Sequence, residues 1–396
     1  MTRAFVVGAS GFGLIAVCYG LARYAFGLFL PQISSELALT PSLAGAISGG
    51  GFLSYCVAVG AAAWLTERLG SRPVAAAAGV VAALGMAGIA LAPSAIWLAI
   101  GVIVAGASTG LASPPLAAAV KAAVPPARQD AVNTVINAGT AAGIALSGPV
   151  AMLSGAQWRM AFMGFAGLAL LMAMATLRTI QGETTRAAPG AALLPACTPD
   201  LIRLVVACLL TGVASAVVWT FGADLVTARL GWDSGQVGIL WIAVGAAGIA
   251  GAAAGHLIAR FGINAVHVAF QLAMLTGIGF VGCDIGTAPL VLAGAGLFGA
   301  AYMMLSGLYL VWGVSALPDR PATGVAIAFL MLSVGQALGA SAFGVVKEQV
   351  SVDVAVLSFA ALAAGAAAVR RRAPRSAPDR AASSGSGADD RERASG

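Results

Sequence analysis

The chain has 396 residues, of which 60% are hydrophobic and 9% charged, with 52 glycines and a formal net charge of +6. That balance excludes an ordinary soluble globular domain and places the chain in the membrane class. The basic excess does not point to nucleic acid, because the cationic residues fall between long apolar runs instead of forming a patch.

A spanning helix needs about 20 mostly apolar residues. Runs of that kind are predicted at residues 5 to 30, 43 to 65, 74 to 92, 96 to 119, 131 to 153 and 159 to 177. A second set follows at 202 to 225, 235 to 258, 265 to 284, 288 to 314, 323 to 346 and 352 to 369, each bounded by charge, Pro or Gly-rich turns. The first run has Arg3 ahead of it like a signal peptide, but its length of about 26 residues and the spans behind it make it a retained helix. The expected fold class is all-α and membrane-embedded. Residues 1–177 and 202–369 form two sets of six helices, 178–201 a cytoplasmic linker carrying Glu183, Arg186, Pro189, Pro195 and Asp200, and 370–396 a disordered basic tail.

With the N-terminus in the cytoplasm, 17 of the 21 Lys and Arg fall on that side; Arg159, Arg229 and Lys347 fall in outer loops and Arg23 inside a span. The positive-inside rule then puts both termini in the cytoplasm of a cell whose inner membrane the chain crosses. Arg370, Arg371 and Arg372 would lie against anionic lipid. Cys18, Cys56, Cys197, Cys208 and Cys283 have no ligand-like spacing, so neither a disulfide nor a metal site is read. No cofactor motif is present. A membrane enzyme would need a His-Glu-x-x-His pair, a membrane Asp pair or a Cys-His set, and the sequence contains none.

The one dense knot of charge in the first half is Ala63-Trp64-Leu65-Thr66-Glu67-Arg68-Leu69-Gly70-Ser71-Arg72. A worn copy, Gly255-His256-Leu257-Ile258-Ala259-Arg260-Phe261-Gly262, follows at an offset of 192 residues, as 68 plus 192 is 260. The same offset pairs Gly20 with Gly212, Gly85 with Gly277, Pro126 with Pro318, Arg128 with Arg320 and Gly143 with Gly335. The knot resembles the Gly-x-Leu-x-Asp-Arg-x-Gly-x-Arg loop of the major facilitator superfamily, with Ala63 for the first Gly and Glu67 for the Asp. The resemblance covers nearly the whole chain to about residue 369. It implies two like-oriented, pseudo-symmetric six-helix halves with a substrate site between them, working as a monomer by alternating access. The duplicated loop favours this over a fixed pore. The stretch from Tyr19 to Pro31, YGLARYAFGLFLP, is similar to the YbfB-type branch of the superfamily, which names no substrate.

Arg23 is the sharpest single residue, because a charge inside a span normally faces a cavity or a partner. It is expected about seven residues before the outer end of the first helix. The resemblance puts that helix beside the central cavity, with Tyr19 on the same face. The alternative is that Arg23 snorkels to the headgroups or holds a neighbouring carbonyl. Asp224, near the outer end of the seventh helix, is a candidate partner for Arg23 or a coupling group, and otherwise a solvated helix-end acid.

Asn137, with Asn133 one turn earlier, and Gln336 are amides that either bond across helices or line the path. Trp219, Tyr302 and Tyr309 are candidate cavity aromatics, against the alternative of packing. The resemblance implies that Glu67 meets the inner end of the eleventh helix when that side is shut, with Arg68, Gly70, Arg72 and the second-copy Arg260 as gating elements. Gly143, Gly148 and Pro149 resemble the Gly-x4-Gly-Pro pattern of proton-coupled drug exporters, though Met152 and Leu153 replace the glycine pair expected next. No Asp or Glu sits near the middle of a span, so no midplane carboxylate relay is visible. His256 is expected in a loop and His267 in a structural role near the inner end of its helix. Together these features predict a transporter for a small organic anion; export by proton antiport is the alternative.

Overall fold

The computed structural model describes residues 3–180, 198–284 and 287–371, and these are helical with short connections. The helices are α1 Arg3–Leu37, α2 Pro41–Leu69, α3 Ser71–Ala90, α4 Ala95–Ala123, α5 Pro126–Ser154 and α6 Trp158–Thr179. Then come α7 Pro199–Leu230, α8 Ser234–Phe261, α9 Ile263–Gly282, α10 Ala288–Ala316, α11 Pro321–Gln349 and the shorter α12 Val352–Ala368. Among the described residues, α1 to α11 are long and apolar enough to cross a membrane. Most of the predicted linker, including Glu183, Arg186, Pro189, Pro195 and Cys197, and the tail from Arg372 onward lie outside the described residues.

Local chemistry sets the boundaries. Thr40 caps α2 by accepting from the Leu43 N–H, with Pro41 at the first helical position. Asp233 and Gln236 form a reciprocal capping box at the start of α8. Gly70 and Gly262, the paired glycines of the two charged knots, end α2 and α8 with φ of 87° and 80°. That backbone region is open to glycine at no steric cost, which explains why the worn copy keeps this residue.

Several helices outrun their predicted ends. α1 carries Pro31 inside it and continues to Leu37, where Ala38 turns in the left-handed conformation. Arg23 is therefore 14 residues from the end of α1 instead of seven, and sits at mid-helix. α7 likewise runs on to Leu230 and α11 to Gln349, so Arg229 and Lys347 are helical residues and not loop cations, and His256 belongs to α8. Two helices are irregular inside. α1 has a π-helical turn at Ala16–Leu21, with Ala22 N bonded to Val17 O at 2.9 Å, and α8 narrows to a 3-10 turn at Ile249–Ala253. Such irregular turns inside helices often mark working sites.

Small residues bring the helices into backbone contact, as expected where lipid supplies no hydrophobic drive between helices. Gly20 of α1 faces the backbone of Gly143 in α5, and Gly212 of α7 faces that of Gly335 in α11; a Cβ at any of the four would meet main chain. The two contacts join residues at the same 192-residue offset. Contacts between α1–α6 and α7–α12 gather at the end that carries Ala38. There Gly27 lies on the Trp219 carbonyl, Gly45 on the Ala340 carbonyl, Gly344 on the Pro41 carbonyl and Gly148 on the Gly238 carbonyl. Hydrogen bonds from Gln32 to Ser234 (2.9 Å) and from the Ser42 N–H to Glu348 (2.8 Å) join the same end. At the Gly70 end, Trp64, Glu67 and Leu69 of α2 and Pro321 and Ala322 of α11 are exposed.

Candidate functional site

The site is built on the irregular stretch of α1. A π turn adds a residue to the helical repeat, and immediately after it Arg23 turns toward α4 and α11. Arg23 Nη2 donates to Ser333 Oγ (2.8 Å) and Gln336 Oε1 (2.7 Å), three residues apart on one face of α11, and Nη1 reaches Thr109 Oγ1 of α4 at 3.5 Å. The Nε–H has no partner. Four rings surround the guanidinium, with centroids 4.8 Å (Tyr55), 4.9 Å (Phe52), 5.6 Å (Tyr24) and 6.0 Å (Tyr19) from its carbon. Among the described residues no carboxylate lies within ion-pair distance of Arg23, so every acceptor it has is neutral.

A buried polar and aromatic shell extends outward from these groups. Gln336 Nε2 donates to Tyr302 OH (3.0 Å), which is 3.1 Å from Tyr24 OH. Trp219 packs at 4.1 Å on Tyr24 and 5.1 Å on Tyr302, and its indole N–H is buried without a partner. Ser333 Oγ donates to the Phe52 carbonyl of α2 at 2.8 Å, and Tyr19 OH is 2.7 Å from Ser113 Oγ of α4. Gln336, Ser333, Tyr302 and Trp219 are buried, whereas Tyr19, Arg23 and Ser113 are partly accessible. A small cavity beside Arg23 is lined by Ala22, Phe26, Ser48, Phe52, Val102 and the glycines 51 and 106. The constellation can hold an acceptor-rich ligand, because the donors Arg23 Nε and Trp219 Nε1 are buried and unused.

Of the residues expected in the site, the structure brings together Arg23, Tyr19, Trp219, Tyr302 and Gln336. Asn137 stands apart, exposed on α5, and Asn133 is half-buried one turn away. Asp224 does not reach Arg23. It is ion-paired with Lys347 of α11, whose Nζ also lies 5.4 Å from the Phe221 ring centre. The pairing follows from the helix ends: extending α7 and α11 puts the two side by side. Glu67, Arg68 and Arg72 are exposed, with Arg68 stacked 4.1 Å over Trp64, and Arg260 is exposed 5.2 Å from the Phe261 ring. Gly143 and Gly148 are helix contacts, to α1 and α8 respectively, and Pro149 is an exposed position inside α5.

Tyr309 belongs to a second buried cluster with His267, Gln271 and Thr211. Its hydroxyl is 2.6 Å from Thr211 Oγ1, accepts from Gln271 Nε2 at 2.9 Å and lies 3.1 Å from His267 Nε2. Ser333, Thr109, Tyr24, Phe52 and Tyr55 had no distinguishing signal in the sequence. Only their position around an unpaired charge marks them.

Residues 12–340 match the family model described as Major Facilitator Superfamily. The chain belongs to the major facilitator superfamily. No curated protein matches it. Solved structures of similar fold include a variant of the nucleoside transporter NupG, with 13% identity, 91% of this chain and 98% of that one covered, and a TM-score of 0.75. A bacterial homologue of the human lysosomal transporter Spinster, inward-facing and unoccupied, is 15% identical over 93% of this chain and 96% of its own, with a TM-score of 0.72. The xylose transporter XylE from E. coli, partially occluded and inward-open, is also 15% identical, over 92% and 98%, with a TM-score of 0.72. This member of the superfamily is a multi-pass membrane transporter, and alternating access is the mode its inward-facing relatives fit.

Proposed function

We propose that this facilitator moves a small organic anion across a bacterial inner membrane, with Arg23 as the counter-ion of the substrate. The observation that carries the reading is an arginine at mid-helix whose contacts are all neutral, among them Ser333, Gln336 and Thr109. An unpaired cation at that depth is expensive to keep, and a negative substrate group would offset its charge. In this reading residues 1–177 and 202–369 are two pseudo-symmetric six-helix bundles of a twelve-span monomer of the YbfB-type branch, with 178–201 linking them and 370–396 as a cytoplasmic tail. The repeated Gly20–Gly143 and Gly212–Gly335 contacts support the duplication. The Gly70 end would face the cytoplasm, where Arg68, Arg72 and Arg260 meet anionic lipid, and the Ala38 end is the closed outer mouth.

The two mouths would be latched by the same pair of helices. Glu348, next to the last residue of α11, accepts from the Ser42 N–H at the start of α2 and holds the outer end shut. Glu67, two residues before the end of α2, would meet the start of α11 when the inner end shuts. In both places a carboxylate faces the positive end of a helix dipole. Asn137, exposed on α5 toward the Gly70 end, would line the inner approach. Proton-coupled export is the second reading, favoured by the Asp224–Lys347 ion pair between α7 and α11 and by Gly148 and Pro149 at the α5–α8 contact.

Uptake of organic anions into proteoliposomes tests the first reading. Arg23→Ala should abolish it, and unchanged uptake of an anionic solute would remove the argument. Reversing the sign of an imposed pH gradient separates the importer from the exporter.

A further inference from the structure

Resting on the reading of Arg23 as the anion site, we infer that the substrate is a monocarboxylate with an apolar body, which binds Arg23 by displacing Ser333 or Gln336 of α11. The charge count limits the ligand to one negative group. Every other Lys or Arg among the described residues lies within five residues of a helix end, which leaves Arg23 as the lone cation at depth. A monoanion makes the occupied site neutral, whereas a dianion would leave one charge unmatched in a low-dielectric interior. The walls argue for the apolar body, because four rings, Phe52, Tyr55, Tyr24 and Tyr19, surround the guanidinium with centroids within 6.0 Å.

The displacement follows from the shape of a guanidinium. Its five N–H groups present two coplanar pairs to a carboxylate, Nη1 with Nη2 and Nε with Nη2. Both pairs need a hydrogen on Nη2. In this structure Nη2 donates to Ser333 Oγ at 2.8 Å and Gln336 Oε1 at 2.7 Å, so neither of its two hydrogens is free. A two-point carboxylate and the full α1–α11 bond set are therefore mutually exclusive. The side-on pair is the easier to reach, since Nε already lacks a partner. The displaced groups have other bonds to fall back on. Ser333 keeps its bond to the Phe52 carbonyl, and Gln336 keeps its bond to Tyr302. Gln336 thus holds the place of the substrate in the empty carrier and is not a direct ligand. Occupancy loosens α11, a helix at the closed outer mouth, and this couples loading to rocking.

Titration calorimetry of the purified full-length protein tests this with three probes: benzoate, the neutral benzamide and the dianion isophthalate. Benzoate should bind about tenfold or more tighter than benzamide, as expected for a charged hydrogen-bond pair, and isophthalate should be no tighter than benzoate. Ser333→Ala and Gln336→Leu should each tighten benzoate about three- to tenfold, because each removes a competitor for Nη2. Ser333→Ala is the milder change and carries the test if Gln336→Leu does not fold. Benzoate affinity that is unchanged or weakened in Ser333→Ala, while still lost in Arg23→Leu, overturns the displacement and leaves the anion site standing. Parent-like benzoate affinity in Arg23→Leu, or no benzoate binding to the parent, overturns the anion reading itself.

Discussion

The duplicated glycine contacts give a graded stability prediction. In Gly20→Ala or Gly212→Ala the new methyl group points at main chain on the facing helix, Gly143 in the first case and Gly335 Cα at 2.9 Å in the second. Backbone in a packed helix pair cannot rotate away, so the helices must separate, and overpacking of this kind costs about 1–3 kcal/mol. Gly13→Ala meets only the Met172 sulfur at 2.6 Å, the far part of a flexible side chain, and should cost less than about 1 kcal/mol. Gly164→Ala and Gly167→Ala have nothing within 4 Å and stand inside α6, where Ala is the better helix former by about 0.5–1 kcal/mol. Thermal unfolding in one detergent should therefore order the variants: Gly164→Ala and Gly167→Ala at or above the parent, Gly13→Ala slightly below, and Gly20→Ala and Gly212→Ala lowest and similar to each other. If Gly20→Ala and Gly212→Ala unfold at the same temperature as Gly167→Ala, the close α1–α5 and α7–α11 approach is wrong. A large effect at only one of the pair would break the equivalence of the two contacts.

Two further predictions concern charge. Asp224→Asn should destabilise the protein by about 1–2 kcal/mol, below the 3–5 kcal/mol of a fully buried pair, because the two side chains keep 23% and 11% exposure. The double variant with Lys347→Met should recover most of the loss, and a double variant no more stable than Asp224→Asn would show that the pair is not coupled. At the gates, Glu67→Gln should raise the inward-open population and Glu348→Gln the outward-open one, each by about two- to fivefold. Spin-label distances across α2 and α11 at both ends would report this, and shifts of the same sign would refute reciprocal latching.

Arg23 could be read from the sequence because a guanidinium in an apolar run has few places to go. The family could be read from the Glu67–Arg72 knot, since its glycine has to adopt a conformation that other residues resist. Tyr19, Trp219, Tyr302 and Gln336 stand out as polar or aromatic residues within spans, but the groups that complete the shell around the guanidinium do not. Ser333 and Thr109 are ordinary small residues, and only the fold carries them to the guanidinium. Pro31 reads as a helix end and so sets Arg23 near the outer end of its span, yet the helix tolerates the proline and continues to Leu37, which leaves the charge at mid-helix. Asp224 reads as a partner for Arg23, a coupling group or a solvated helix-end acid, because Lys347, with which it pairs, reads as a loop cation. Asn137 has the right chemistry but stands apart from Arg23, exposed on α5, and nothing in the periodicity of that helix separates a cavity face from a packing one. The π turn just before Arg23 contains Gly20, which packs on the Gly143 backbone, and has no sequence signature.

Tyr302 and Tyr309, seven residues apart on α10, separate the work of the two polar clusters. Each hydroxyl is buried and multiply bonded, so sequence and burial treat them alike. Their partners differ. Tyr302 accepts from Gln336, the residue that occupies Arg23, whereas Tyr309 is bonded to Thr211, Gln271 and His267, none of which touches Arg23. Removing the Tyr309 hydroxyl takes an acceptor from the Gln271 amide and a hydrogen-bond partner from Thr211 inside a buried cluster, which costs about 1–3 kcal/mol. Tyr309→Phe should therefore lower the unfolding temperature and leave anion affinity within about twofold of the parent. Tyr302→Phe removes the bond that Gln336 keeps when it leaves Nη2, so displacement costs more and the affinity for benzoate should fall by about three- to tenfold. Tyr309→Phe changing affinity as much as Tyr302→Phe would join the two clusters into one site and undo the assignment of His267 and Gln271 to the scaffold.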